Sequence, residues 1–171
     1  MEFLDTIKER YSVRGFEDRE VEKEKLDKIL EAGISAPTGV NFQPFKVFVI
    51  DTKKNKEKLK ELYPQSWPFE APILIAIAVK PEDAWVRKVD NKNIADIDGT
   101  IVMDHMILEA TSLGLGTCYI GAFNPQVAKE LLNLSEDYEP LLFSPLGYPN
   151  AEPRDTPRKS VDELVKYIWV F

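Results

Sequence analysis

Cysteine is almost missing from this chain of 171 residues: Cys118 is the only one, and His105 is the only histidine. One cysteine cannot close an intrachain disulfide, and one histidine beside it leaves no four-ligand zinc set of the usual kind. A chain with this cysteine usage fits a reducing cytoplasm. Long apolar runs are missing too. The longest, ILIAIAV at residues 73–79, is far too short to span a bilayer, and MEFLDTIKER at the start lacks the apolar core expected of a signal peptide or an anchor. Positive charge is in deficit, with 22 Lys and Arg against 29 Asp and Glu and a formal net charge of −7. Basic surfaces grip phosphate backbones, so nucleic acid is not an expected partner, and any anion site has to be local. There is no internal repeat and no low-complexity tract. The Pro-rich stretch at 148–157 lies too near the C-terminus to separate two domains, so residues 1–171 read as one.

What is present is an interleaving of helical and strand patterns. Phe3, Leu4 and Ile7 give one apolar face to a short helix ending near Arg10. Leu26, Ile29, Leu30 and Ile34 mark a second helix over about 21–33, ended by Gly33 and Pro37. KVFVID reads as a strand, 53–62 as a surface helix, and ILIAIAV as a strand buried on both faces, being apolar at every position. Over 94–113 apolar residues recur at 94, 97, 101, 105 and 108, and Val102, Met106, Ile107 and Ala110 widen the stripe. A helix apolar around most of its circumference is buried, at the centre of the domain or against a partner. TCYIGAF and PLLFSPLG read as strands. Between them NPQVAKELLN reads as a helix with Asn124 as N-cap and Pro125 in its first turn. Ser160 and Glu163 form a capping box for a last helix, leading to YIWVF. So apolar a chain end needs cover, either from its own core or from a second subunit.

GLGTCYIG is not a dinucleotide fingerprint, because a helix precedes the glycines and a strand follows, which reverses the order that binding a pyrophosphate requires. Gly114 and Gly116 suit a helix C-cap and a tight turn instead. The acidic residues Asp96, Asp98 and Asp104 are scattered around one helix without a convergent partner. His105 on an apolar helix reads as a core histidine, and Cys118 as a small buried hydrophobe. ERYSVRGFED is different. Arg10, Ser12 and Arg14 alternate, and in an extended segment alternate side chains share a face. Two guanidinium forks with a hydroxyl are the chemistry of a phosphate cup, to which the basic pair Arg158 and Lys159 adds. Asn41 and Gln43 bracket Phe42 in a Pro-flanked loop; they read as turn residues, or as donors and acceptors for a heterocycle edge. No nucleophile, acid–base pair or metal site stands out.

The segments IKERYSVRGF, ISAPTGVNFQPFKVFVI, EAPILIAIAV, HMILEATSLGLGTCYIGAF, PLGYP and PRKSVDELV occur in an order and spacing that resembles compact members of the nitroreductase-like flavoprotein family. The resemblance runs from about residue 3 to 165. It implies an α+β sandwich, a small central mixed or antiparallel sheet flanked by helices, in a homodimer with FMN at the subunit interface. It assigns Arg10 and Ser12, with Tyr11 between them, to the FMN phosphate, Arg158 to closing that cup, and Arg14 to the pyrimidine end of the flavin. Pro37, Thr38, Gly39 and Asn41, followed by Gln43, match a loop contributed from the other subunit. Tyr119, Ile120 and Gly121 match the strand end along the isoalloxazine, with the Gly121 amide facing the ring nitrogen that receives hydride. The tail at 160–171 is expected on the partner. Larger relatives carry a helical lid where this chain has only 85–93, and a glutamate found beside the ring in some is replaced here by Gly121. No residue of 63–69 aligns with their flavin contacts.

The implied reaction takes hydride from NADH or NADPH and passes electrons by a ping-pong route to a small acceptor such as a nitroaromatic or quinone. The flavin supplies the chemistry, which accounts for the missing catalytic side chains. Two other readings remain open at this stage: a flavin-storing module with little turnover, and a flavin-dependent reductive dehalogenase or dehydrogenase. Failure of both nicotinamides to bleach the bound flavin favours the first, and substrate-clamping groups in a lid favour the second.

Overall fold

The structure is a computed structural model that describes residues 2–169. Of the tail, Val170 and Phe171 lie outside the described residues. Helices α1 (Phe3–Glu9) and α2 (Lys23–Ile34) precede strand β1 (Phe45–Asp51), and α3 (Lys56–Leu62) leads to β2 (Ile73–Val79). A hairpin of β3 (Val86–Arg87) and β4 (Lys92–Asn93) stands before the long helix α4 (Ala95–Ser112). Then come β5 (Gly116–Thr117), α5 (Pro125–Leu131), β6 (Glu139–Gly147) and a single turn, α6 (Val161–Leu164). The main sheet has the order β1-β2-β6-β5, every pair antiparallel, which makes the class α+β.

β2 is central, and its alternation builds two cores. Ile75, Ile77 and Val79 pack with Ile29 of α2 and with Val102, Met103, Met106 and Ile107 of α4. Leu74 and Ala76 face the other way, onto Leu59 and Leu62 of α3 and Ala128 of α5. A strand with a core on each side has no polar face, which is why ILIAIAV is apolar throughout. α4 lies close on the sheet at Gly99, where a Cβ would stand 2.5 Å from Leu141 Cδ2 and 2.8 Å from Val79 Cγ1.

Caps form where the sequence places them. Asn124 accepts from the amides of Gln126 and Val127, and Ser160 and Glu163 exchange both bonds of a capping box. Gly114, at φ 76°, ends α4, with its own amide on Thr111 O and that of Leu115 on Ala110 O, the paired bonds of a Schellman motif.

Three expectations shift. The helix expected over 53–62 begins at Lys56, because Asp51 holds a turn, accepting from Lys54 N through its side chain and from Asn55 Nδ2 through its carbonyl. The strand expected at TCYIGAF is only two residues long. Ile120 and Phe143 exchange both backbone bonds, so in the same register Cys118 faces Pro145, which has no N–H to return. Cys118 N turns to Ser144 Oγ at 3.3 Å, and the ladder opens there. The third shift is on α4. Its core face is Ala95, Asp98, Gly99, Val102, Met103, Met106, Ile107 and Ala110, whereas the stripe at 94, 97, 101, 105 and 108 is the outer face. His105 is therefore half-buried on that outer face and is not a core histidine.

Candidate functional site

The segment after α1 runs extended beside β5. Ser12 bridges Thr117 in parallel, and Val13 N donates to Thr117 O at 2.9 Å. Val13 turns inward against Gly116, where a Cβ would sit 2.7 Å from Val13 Cγ2. Ser12 and Arg14 alternate with Val13 and fall on the other side of the segment, and Arg10, Ser12 and Arg14 all act on the Cys118 thiol electrostatically. Burial pushes that thiol up, against the opposing Arg14 charge, a Ser12 hydrogen bond and the Arg10 charge. Neither guanidinium has an ion-pair partner among the described residues, in a chain with 29 acidic residues. Two guanidinium groups without a carboxylate partner on one face of an acidic protein could hold an anion.

Tyr11 points away from this face, its hydroxyl donating to Ala151 O at 2.8 Å. Burial, then the charge of Glu152, raises its phenol. The Tyr119 hydroxyl donates to Asp104 Oδ1 at 3.1 Å, and it is held far up, first by burial and then by the Asp104 carboxylate, with Arg10 opposing. Ile120 is buried in its pairing with Phe143. Gly121 is exposed, its N–H has no acceptor among the described residues, and nothing lies within 4 Å of where its Cβ would be.

Trp67 was missed in the sequence. Its indole lies under Arg14, 5.8 Å from guanidinium carbon to ring centroid, with Nε1–H donating to Gln65 Oε1 at 2.7 Å. Tyr63 meets it edge-on. The available signal was a half-polar aromatic in a Pro-rich turn just before a fully apolar strand; its ring also packs on the buried clusters around Leu74 and around Val13.

The carboxamide loop forms a second group. Thr38 and Gly39 are half-buried, while Pro37, Val40, Asn41, Phe42 and Gln43 are exposed. Gly39 N donates to Asp98 Oδ1, Gln43 N to Thr38 Oγ1 and Gln43 Nε2 to Asn41 O. No hydrogen bond or ion pair joins this loop to Arg10, Ser12, Arg14, Tyr119 or Gly121 among the described residues. Arg158 is also apart. Residues 152–169 are all exposed, and among the described residues none forms a hydrogen bond or ion pair with the body. On the outer side of α4, Phe3, Thr6, Ala32, Ser35, His105 and Leu108 line a groove of about 440 Å³. No cluster of three metal-ligating side chains occurs among the described residues.

Comparison with known proteins agrees with this arrangement of segments. The family model described as the nitroreductase family matches residues 7–67 and 60–148. An FMN reductase (NAD(P)H) of Bacillus subtilis is 31% identical over 186 residues, covering 98% of this chain and 75% of that protein. The crystal structure of a nitroreductase family protein from Clostridium difficile 630 superposes with a TM-score of 0.90 at 36% identity, covering 99% of this chain and all of that one. One from Clostridium novyi NT gives 0.80 at 34% identity over 87% of each chain. With the family model matched over most of the chain and a 36% identical family structure superposed along 99% of it, this protein belongs to the nitroreductase family.

Proposed function

We propose that this chain is an FMN-dependent NAD(P)H oxidoreductase that works as a homodimer with a flavin between the subunits. The observation that carries the reading is the pair Arg10 and Arg14 without ion-pair partners among the described residues, with Ser12 between them, and, four residues beyond the end of β5, the Gly121 N–H with no acceptor among the described residues. That donor set fits a flavin mononucleotide: a phosphate for the Arg10–Ser12 end, an electron-rich pyrimidine for Arg14, and a ring nitrogen for Gly121. When bound, the flavin supplies hydride chemistry, accepting from a nicotinamide and delivering to a small acceptor such as a nitroaromatic or quinone.

The chain's own residues bind and bias. The Arg14 guanidinium lends positive charge where a reduced ring would gather negative charge. Trp67 limits where the guanidinium can lie, because a cation over an indole face is held by the ring quadrupole. Asp104 fixes Tyr119 through its hydroxyl, so this side chain acts as a wall along the flavin and not as a proton source.

One chain offers an open shelf, and the remaining parts sit at a distance from it. The loop at 37–43 and the arm at 152–169, which carries Arg158, are expected to complete the shelf in the assembled dimer, and exposed Tyr167 and Trp169, stacked at 5.6 Å, are expected to pack on the partner. No described helix is long and apolar enough to cross a membrane, and a single buried cysteine suits a reducing cytoplasm.

The test has two stages. The purified protein is yellow, and mass spectrometry of the released chromophore gives FMN; FAD, or no flavin after reconstitution, overturns the assignment. Anaerobic mixing with NADH and with NADPH then bleaches the flavin. If neither does, the protein stores flavin and does not turn it over.

A further inference from the structure

Asp98 lies in the first turn of α4 and is 2% exposed. Its Oδ1 accepts the Gly39 amide at 2.9 Å. Its Oδ2 is buried with no partner, the one such side-chain atom among the described residues. A buried carboxylate held by a single neutral donor is a costly arrangement, and folds keep few of them. The N-terminal end of an 18-residue helix offsets part of that cost, since its unpaired amides favour negative charge.

The loop on the other side of this bond shows what the arrangement holds. Val40, Asn41 and Gln43 have φ of 53°, 59° and 52°, a left-handed region that residues with a Cβ rarely occupy. Three such residues within four positions persist only if the surroundings over-determine them. Inside the loop, Thr38 Oγ1 takes the Gln43 amide at 3.0 Å and Asn41 O takes Gln43 Nε2 at 3.2 Å. Apart from the Phe45 amide that Gln43 O accepts at 2.8 Å where the loop runs into β1, the Asp98 bond is the only hydrogen bond from residues 38–43 to another element among the described residues. Packing closes the same point, because a Cβ on Gly39 would lie 2.5 Å from Ile94 Cδ1 and 3.1 Å from Trp85 Cβ.

We infer that Asp98 is a positioning residue, whose carboxylate clamps the left-handed loop through Gly39 N–H and so sets where the Asn41 and Gln43 carboxamides meet the flavin edge. The inference rests on the proposed flavin site. A carboxylate makes a stronger bond to an amide N–H than a neutral oxygen does, which accounts for an aspartate here despite its stranded second oxygen. With the clamp released, the loop relaxes from its strained dihedrals and the carboxamides lose their register.

The experiment uses Asp98→Ala and Asp98→Asn as full-length dimers saturated with FMN. Wild-type protein that holds no flavin refutes the site itself and not the clamp alone. With flavin bound to wild type, Asp98→Ala is expected to shift the visible flavin bands, raise the FMN dissociation constant about tenfold and slow anaerobic reduction at least tenfold. Asp98→Asn, which keeps an acceptor for Gly39, is expected to restore affinity and rate to within about threefold. A residue with a merely structural role lowers thermal stability and leaves the spectrum and rate of the saturated enzyme unchanged; that result overturns the inference. Should Asp98→Ala fail to fold, Asp98→Ser decides, because it keeps a polar group at the buried position while its shorter side chain withdraws the oxygen from Gly39 N–H. Wild-type bands and rate in that variant overturn the inference; a shift in the same direction supports it.

Discussion

The two sides of α4 differ less in composition than in what covers them. Inward, Val102, Met103, Met106, Ile107 and Ala110 are almost wholly buried against the sheet and α2. Outward, Ile97 is 47% exposed and Ile101, His105 and Leu108 are half-covered, beside Phe3 at 69% and Ile34 at 64% on the adjoining helices. Exposed apolar side chains gathered around one helix face are the pattern expected of an interaction surface. The inner face is therefore the core of the subunit, and the outer face is the proposed core of the dimer.

The largest effect expected from separating the two faces is on the inner one. Met106 is 1% exposed, and Met106→Lys strands an ammonium there, at a cost of several kcal/mol against a total stability of about 5–15 kcal/mol. The chain is expected not to fold by circular dichroism. Leu108→Lys, two residues on but outward, is expected to keep the fold and lose the dimer, with flavin released at the same time. Sedimentation read at protein and flavin wavelengths measures both. An unfolded Leu108→Lys chain assigns that face to the subunit core; a flavin-bound dimer places the interface elsewhere.

Next in size is the arm. Removing residues 160–171 takes away exposed Leu164, Tyr167, Ile168 and Trp169 without touching the subunit core. Dimer affinity and flavin content are expected to fall together while the melting curve of the subunit changes little. A monomer of either protein that retains flavin tightly contradicts a shared site.

Arg10→Ala sharpens the assignment of the shelf. It removes one charged donor from the phosphate end, and FMN binding is expected to weaken by about 1.5–3 kcal/mol, with little change in reduction of the saturated enzyme. Fluorescence titration measures it. Wild-type affinity would make Arg10 a solvated helix end with no part in the site.

The order of elements and both cores were legible in the sequence because they depend on period: alternation along 73–79, and a 3.6-residue repeat along 94–113. The phase of that second repeat was not. When both faces of a helix are apolar, periodicity cannot say which one faces the sheet, and the stripe drawn through His105 fell on the outside. Arg10, Ser12 and Arg14 could be read because alternation puts them on one face of an extended segment. The break after Thr117 was concealed, since it depends on Pro145 arriving opposite Cys118 from 27 positions further along the chain. Asp98 looked like one of several scattered acids, and Trp67 like a loop aromatic. Their roles come from contacts with Gly39 and Arg14, which are distant in the chain and carry no local signature.

The smallest effect concerns the clasp that holds α2 along the inner face of α4. Lys25 Nζ donates to Leu113 O at the end of α4 and to the Tyr148 hydroxyl, which itself donates to Glu22 Oε2 at 2.6 Å. The Tyr148 hydrogen bond, with help from the Glu22 backbone, holds that carboxyl down to about 2 from an ordinary 4.5. A carboxyl with a depressed folded pKa contributes stability that is complete above its unfolded value and lost as pH falls through its folded value. In Tyr148→Phe the donor is gone and Glu22 returns toward its ordinary range. The melting temperature of wild type is therefore expected to exceed that of the variant by its full margin at pH 6, with the margin narrowing between about pH 4.5 and pH 2. What remains in acid is the lost contact between Lys25 and the Tyr148 hydroxyl. A margin that stays constant from pH 6 to pH 2 would show that the hydroxyl serves only the lysine, and that Glu22 takes no part in closing the inner face.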